Sequence, residues 1–208
     1  FIFKARPEDF EEVIRVNLAG YYHVLSAAAP IFREHAKAGT PEAPYTWGRV
    51  INIVSTAGFY GNYGQSAYAS AKNGVIGLTR VAALDLARSK VLVNAIAPFA
   101  RSRVTEIIVP ANEEQATYKE RALRIEPKHV SSVVNWLCSD KGEEITGQLF
   151  GVRGREVFLF AQPRPVRKFV MEPEVKSGSL AEQAKERFED AYTELVTDLE
   201  SFNSEPVL

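Results

Sequence analysis

The sequence predicts an α/β fold built on a parallel sheet. Gly48-Arg49-Val50-Ile51-Asn52-Ile53-Val54 and Val91-Leu92-Val93-Asn94-Ala95-Ile96-Ala97-Pro98 are short, nearly continuous apolar runs, the pattern of parallel strands covered on both faces. The segments before each run place their apolar residues at helical spacing instead. Buried strands alternating with helical patterns are what crossover units of a parallel sheet produce.

The elements follow in order. After the apolar start Phe1–Arg6, Pro7, Glu8 and Asp9 put a proline and acidic residues where a first helical turn favours them. Phe10, Val13, Ile14, Val16, Leu18, Tyr21, Val24 and Leu25 then recur at helical spacing, predicting a long helix from about Glu8 to about Ala36. Asn17, inside it, reads as a structural amide that bonds a nearby carbonyl or mends a kink. Ala38 to Trp47, with a glycine and two prolines, reads as a surface loop. Beyond the first strand, Gly58, Gly61 and Gly64 with Phe59, Tyr60 and Tyr63 form an aromatic loop, followed by a helix from about Ser66 to Arg88. Its many small residues allow close approach of another helix.

Pro98 is expected to end the second strand. Ile107 to Ile125 reads as a polar lid, Pro127 to Cys138 as an amphipathic helix, Ile145 to Val152 as a further strand and Glu156 to Phe160 as an edge strand. Gln162 to Glu174 is a connector. Ser179 with Glu182 fits a capping box, opening one final helix whose apolar stripe runs through Leu180, Ala184, Phe188, Ala191, Leu195, Leu199 and Phe202. That helix is expected to dock on the body or on a partner subunit. The predicted division is therefore 1–160 for the α/β body and 161–208 for connector and amphipathic helix.

A chain of 208 residues, 46% hydrophobic and 25% charged, suffices for one sizeable core. Net charge of -1 gives no bulk attraction to nucleic acid or to an anionic membrane. The single cysteine, Cys138, precludes an internal disulfide and a cysteine-built metal site. His23, His35 and His129 have no partners at metal-ligand spacing, so no metal is expected. No apolar run is long enough to span a bilayer and no secretion signal opens the chain, so the expected location is the cytoplasm.

The chemistry centres on Gln65-Ser66-Ala67-Tyr68-Ala69-Ser70-Ala71-Lys72. Residues four apart share a helix face, about one turn apart, so the phenol of Tyr68 and the ammonium of Lys72 can act together. A cation beside a phenol favours the phenolate, which would let Tyr68 exchange a proton with a substrate hydroxyl or carbonyl near neutral pH. Ser55, at the end of the first buried strand, could hold the same oxygen. Singly, each of the three also reads as an ordinary surface or turn residue.

The order of these parts, a buried strand, Ser55, a glycine-rich connection, Tyr68-x-x-x-Lys72 and the strand Asn94-x-x-x-Pro98, resembles the short-chain dehydrogenase/reductase family. The resemblance covers most of the first two-thirds of the chain. It implies a doubly wound, Rossmann-like sheet and an oxidoreductase that transfers hydride between a nicotinamide and a secondary alcohol or ketone. It implies that Tyr68 moves the alcohol proton, Lys72 lowers the pKa of Tyr68 and bonds the nicotinamide ribose, and Ser55 positions the oxygen. Asn17, in Val16-Asn17-Leu18, would hold a water that links Lys72 to solvent. The implied cofactor is NAD or NADP, with NAD favoured, bound by Tyr68, Lys72, Pro98 and Ser102.

Arg101-Ser102-Arg103-Val104-Thr105-Glu106 is similar to a segment of the 3-hydroxyacyl-CoA dehydrogenase branch, which includes the dehydrogenase part of the peroxisomal multifunctional enzyme. This similarity implies a CoA thioester substrate and a Ser102 that bonds the cofactor amide near Pro98. Ser102 reads equally as a helix cap. At Phe99 the family usually has glycine. Arg164, Arg167 and Lys168 read as a solvated linker or as partners of a CoA phosphate. The resemblance also implies a homodimer or homotetramer, paired through the helices that carry Asn17 and Lys72.

No glycine-rich phosphate turn follows a first strand, and no acidic residue follows a second. Measured against the family, the chain begins midway through the fold, so the natural polypeptide is expected to be longer at its N-terminus. The alternative function is a non-catalytic subunit that keeps the fold and stabilises an active paralogue as a heterodimer.

Overall fold

A computed structural model of the chain describes residues 1–171, 173–174 and 177–208. Two compact units are distinguished, one formed by Phe1–Phe160 with Val196–Leu208 and the other by Ala161–Leu195. In the first unit, Pro7 opens α1 (Pro7–Ile14), which runs through a π-helical segment at Arg15–Ala19 into α2 (Gly20–Ala38). The long helix expected from the apolar spacing is thus one helical path with a widened turn at Asn17. Such single π turns are frequent at functional sites.

The sheet alternates with the remaining helices. β1 (Arg49–Ile53) leads through α3 (Ala57–Tyr60) and α4 (Ser66–Asp85) to β2 (Leu92–Phe99). α5 (Arg103–Ile107), α6 (Glu113–Leu123) and α7 (Lys128–Cys138) then lead to β3 (Leu149–Arg153) and β4 (Glu156–Phe160). The order is β1-β2-β3-β4. β1, β2 and β3 are parallel, with Val50 opposite Val93 and Ile96 opposite Phe150, and β4 returns antiparallel to β3.

β2 alternates between two helical layers. Val93, Ala95 and Ala97 pack with Val75, Ile76, Ala82 and Ala83 of α4, whereas Ile96 packs with Val133 and Leu137 of α7. Two inward polar groups are satisfied in place. Asn52 Nδ2 donates to Thr79 Oγ1 at 2.8 Å, and fully buried Asn94 donates to Ile145 O and accepts from Gln148 N.

Pro98 does not end its strand. β2 continues to Phe99, with Pro98 opposite Val152 of β3. Ile96 O accepts from Val54 N, so even-numbered residues of this stretch direct their backbone groups toward β1. β1 has already ended at Ile53, and the N–H that proline lacks has no strand to serve there.

The C-terminal region also departs from expectation. Instead of one helix carrying a single stripe, the second unit holds α8 (Ser177–Phe188), closed by a 3-10 turn at Glu189–Ala191, and Leu195 is 98% exposed. A new helix, α9 (Asp198–Ser201), begins in the first unit. The capping box is Thr197 with Glu200 rather than Ser179 with Glu182, because α8 starts two residues before Ser179, whose hydroxyl accepts from Gln183. Phe202 then docks among Phe99, Phe158 and Phe160, so residues 196–208 form a strap on the α/β body. The connector from Gln162 to Glu174 has no helix or strand over its described residues, and Glu172 lies outside them. Within the second unit Arg167 pairs with Asp190.

Candidate active site

The parallel strands deliver their following loops to one edge of the sheet, where ligands of open α/β sheets bind. Ser55 lies two residues beyond β1, and its Oγ accepts from Ala57 N at 3.3 Å, leaving its own O–H free to donate. The loop after it presses on α4 at Gly58. A Cβ there would stand 2.9 Å from Asn73 N and 3.1 Å from the carbonyl carbon of Lys72, so only glycine allows this approach.

α4 carries Tyr68 and Lys72 on one face. Lys72 is 6% exposed, and its Nζ donates to Ile53 O at 3.0 Å and to Tyr21 Oη at 3.2 Å. The same nitrogen lies 5.7 Å from the centre of the Tyr68 ring and 4.8 Å from that of Tyr21. Tyr21 Oη in turn donates to Ile53 O at 2.9 Å. Burial pushes the Lys72 pKa down, with the Tyr68 oxygen acting in the opposite direction, and burial pushes the Tyr21 phenol up. An ammonium has three donors, so one of Lys72's remains.

Asn17 lies in the π-helical turn, and its Nδ2 donates to Val13 O at 3.2 Å. No direct hydrogen bond joins it to Lys72 among the described residues. The helical path is held against α4 by Leu18, whose Cδ2 would lie 2.8 Å from a Cβ at Gly74. Ser102 caps α5, accepting from Thr105 N at 3.2 Å, which is the capping role its position allowed. Phe99 is buried in the aromatic cluster around Phe202.

Ser55, Tyr68, Pro98 and Ser102 open on one cavity of about 680 Å³. Of the expected lid, Ile107 to Ile125, α6 contributes Gln115 and Tyr118 to the cavity wall; α5, which ends at Ile107, adds Thr105. Asn17 and Lys72 do not line the cavity; Lys72 reaches the site from behind Tyr68.

Two groups of the site, Tyr21 and Asp198, carry little or no local signal in the sequence. Tyr21 pins the Lys72 ammonium, and its only signal was a phenol four residues after Asn17, on the same helix face. The strap supplies Asp198, which lines the cavity together with Thr56, Tyr118 and Arg153. No local signal marked it, because its neighbours are distant in sequence. No cluster of three metal-ligating side chains occurs among the described residues, and no helix among them is long and apolar enough to cross a membrane.

A family profile described as short chain dehydrogenase matches residues 2–116. Hydroxyacyl-CoA dehydrogenase ChsB1 of Mycobacterium tuberculosis is 36% identical over 168 residues, 81% of this chain and 52% of that protein. Peroxisomal multifunctional enzyme type 2 of Mus musculus is 34% identical over 145 residues, 70% of this chain and 17% of that protein. Among solved structures, a short chain dehydrogenase from Mycobacterium avium superposes with a TM-score of 0.77 at 30% identity, covering 95% of this chain and 63% of that one. The chain spans about half the length of the first of these relatives.

Proposed function

We propose that this chain, which belongs to the short-chain dehydrogenase family, serves an oxidoreductase that interconverts a secondary alcohol and a ketone, with a 3-hydroxyacyl thioester such as a CoA ester as substrate. The observation that carries the reading is the Lys72 ammonium, desolvated behind the Tyr68 ring while Tyr68 and Ser55 open on the cavity at the strand ends. The relatives named hydroxyacyl-CoA dehydrogenase and peroxisomal multifunctional enzyme support the substrate class.

In this reading Tyr68 Oη gives its proton to the carbonyl oxygen during reduction and takes it back during oxidation. The Ser55 hydroxyl, fixed by the Ala57 N–H, donates to the same oxygen. Lys72 stabilises negative charge on the Tyr68 oxygen, and Tyr21 with Ile53 O fixes the ammonium's direction. Asn17, with its N–H₂ committed to Val13 O, keeps its amide oxygen for a water that relays protons to Lys72.

A nicotinamide nucleotide would be held by the remaining Lys72 N–H, at a ribose hydroxyl, and by Ser102, which lines the cavity together with Pro98. Bound there, NAD, or alternatively NADP, supplies the hydride acceptor and donor. Exposed apolar residues on α2 (Val24, Ile31) and α4 (Val81, Leu84) support pairing with a second copy as a homodimer or homotetramer.

The test is NADH-dependent reduction of acetoacetyl-CoA by the full-length protein. Replacement Tyr68→Phe is expected to lower kcat about 100-fold or more, with NADH binding retained. Activity that survives this change overturns the assignment to Tyr68. Failure of the unaltered protein to bind NADH favours the alternative, a non-catalytic subunit that stabilises an active paralogue, which Phe99 at the family's usual glycine position also favours.

A further inference from the structure

The cavity has a second polar wall that the proton-transfer chemistry leaves unused. Asp198, the first residue of α9, is held against the Ser55 loop: its Oδ2 accepts from Thr56 Oγ1 at 3.2 Å, and its backbone N–H donates to Gly61 O at 3.2 Å. Its Oδ1 is buried and has no hydrogen-bond partner among the described residues. An ionised carboxylate offers about four acceptor positions; Thr56 and the N–H groups of the first turn of α9 draw on some of them, and Oδ1 is left without a well-formed bond.

The cations on the same wall do not answer it. Arg153 spends its donors elsewhere: Nε and Nη2 on Glu156, Nη1 on Phe202 O and Ser204 O, and Nη2 also on Ser204 Oγ. Arg121 directs Nε to Glu205 and Nη1 to Asn203. Tyr118 lines the cavity as a neutral phenol, its pKa pushed up to about 12 by burial and by the charge of Asp198, with Arg153 opposing. Burial likewise raises the Asp198 carboxyl above its usual value, against the hydrogen bonds from Thr56 and the helix-end N–H groups. A buried acceptor without a donor is costly to keep, and such groups in native proteins call for an explanation.

We infer that Asp198 is a substrate-binding residue that accepts a hydrogen bond from a neutral donor, an amide N–H on the carrier arm of the thioester. Oδ1 is shut off from the cavity as placed, so a turn about the soft terminal torsion, at the expense of the 3.2 Å Thr56 contact, is what brings it to a ligand. An anionic group would be repelled by Asp198. An ammonium would be set on a wall that already holds Arg121 and Arg153, which leaves the neutral donor as the matching chemistry. The inference rests on the oxidoreductase reading only in naming the ligand a thioester; the unfilled acceptor is independent of it.

Two probes that differ in the donor decide the matter: S-acetoacetyl-N-acetylcysteamine, which carries the amide N–H, and its S-(2-acetoxyethyl) analogue, in which an ester oxygen replaces that N–H. Their dissociation constants for the full-length protein are measured by NMR titration without cofactor. The amide-bearing probe is expected to bind about tenfold more tightly, and Asp198→Ala is expected to bring the ratio close to one. If that variant does not fold by circular dichroism, Asp198→Leu, which has similar bulk and no acceptor, must still lower the ratio. Equal affinities in the unaltered protein, no binding of either probe, or a ratio untouched by both substitutions overturns the inference. Turnover of the two probes with NADH is measured separately. An affinity ratio without turnover removes the oxidoreductase reading and leaves Asp198's role standing, whereas turnover without the ratio does the reverse.

Discussion

Phe202 is the residue on which the strap's attachment turns, and Phe202→Ala measures that attachment. The ring is 8% exposed, with centroids of Phe99 at 4.7 Å, Phe158 at 5.5 Å, Tyr60 at 5.6 Å and Phe160 at 6.4 Å. A buried phenylalanine removes roughly 150–200 Å² from water, about 4–5 kcal/mol at the usual coefficient. Collapse of the surrounding rings is limited, because Phe99, Phe158 and Phe160 are held in β2 and β4. The expected loss is therefore about 3–5 kcal/mol, read as a lower urea midpoint at unchanged slope. If the strap instead detaches alone, protease cleavage within residues 196–208 accelerates before the body unfolds. A loss below about 1 kcal/mol with no added cleavage would refute the packing argument.

Asn94→Ala is expected to cost about 2–4 kcal/mol in the same assay, since it strands Ile145 O and Gln148 N inside the protein. The Arg153 hydrogen bond holds the Glu156 carboxyl below its ordinary value of 4.5. Its contribution is complete above that value and lost as pH falls through the lower folded one, because the unfolded chain then binds more protons. Thermal melts across this acidic range should show Glu156→Gln losing less stability than the unaltered protein. Leu84→Glu places a charge on the exposed apolar face of α4 and is expected to shift sedimentation toward the monomer if that face pairs with a second copy.

Local periodicity carried much of the reading. Tyr68 and Lys72 share a face because they are four residues apart in a helix, and Ser102 caps α5 because its hydroxyl reaches a backbone N–H three residues on. The error at the C-terminus came from extending one helical stripe across Thr197-Asp198-Leu199-Glu200, which is itself a capping pattern and starts a new helix. Pro98 misled in a similar way. Whether a proline ends a strand depends on which neighbour its missing N–H would have faced, and that is a property of the sheet.

The sequence by itself determined the apolar strand segments, the helices between them and the pairing of a phenol with an ammonium one turn away, since all three rest on patterns within a few residues. Only the tertiary structure decided that Tyr21 would pin an ammonium 51 positions away and that Asp198 would reach Thr56 across 142. Both depend on which surfaces the sheet order brings together. Burial then sets the charge behaviour of Lys72 and Asp198, and it exists only once those distant segments have closed over them.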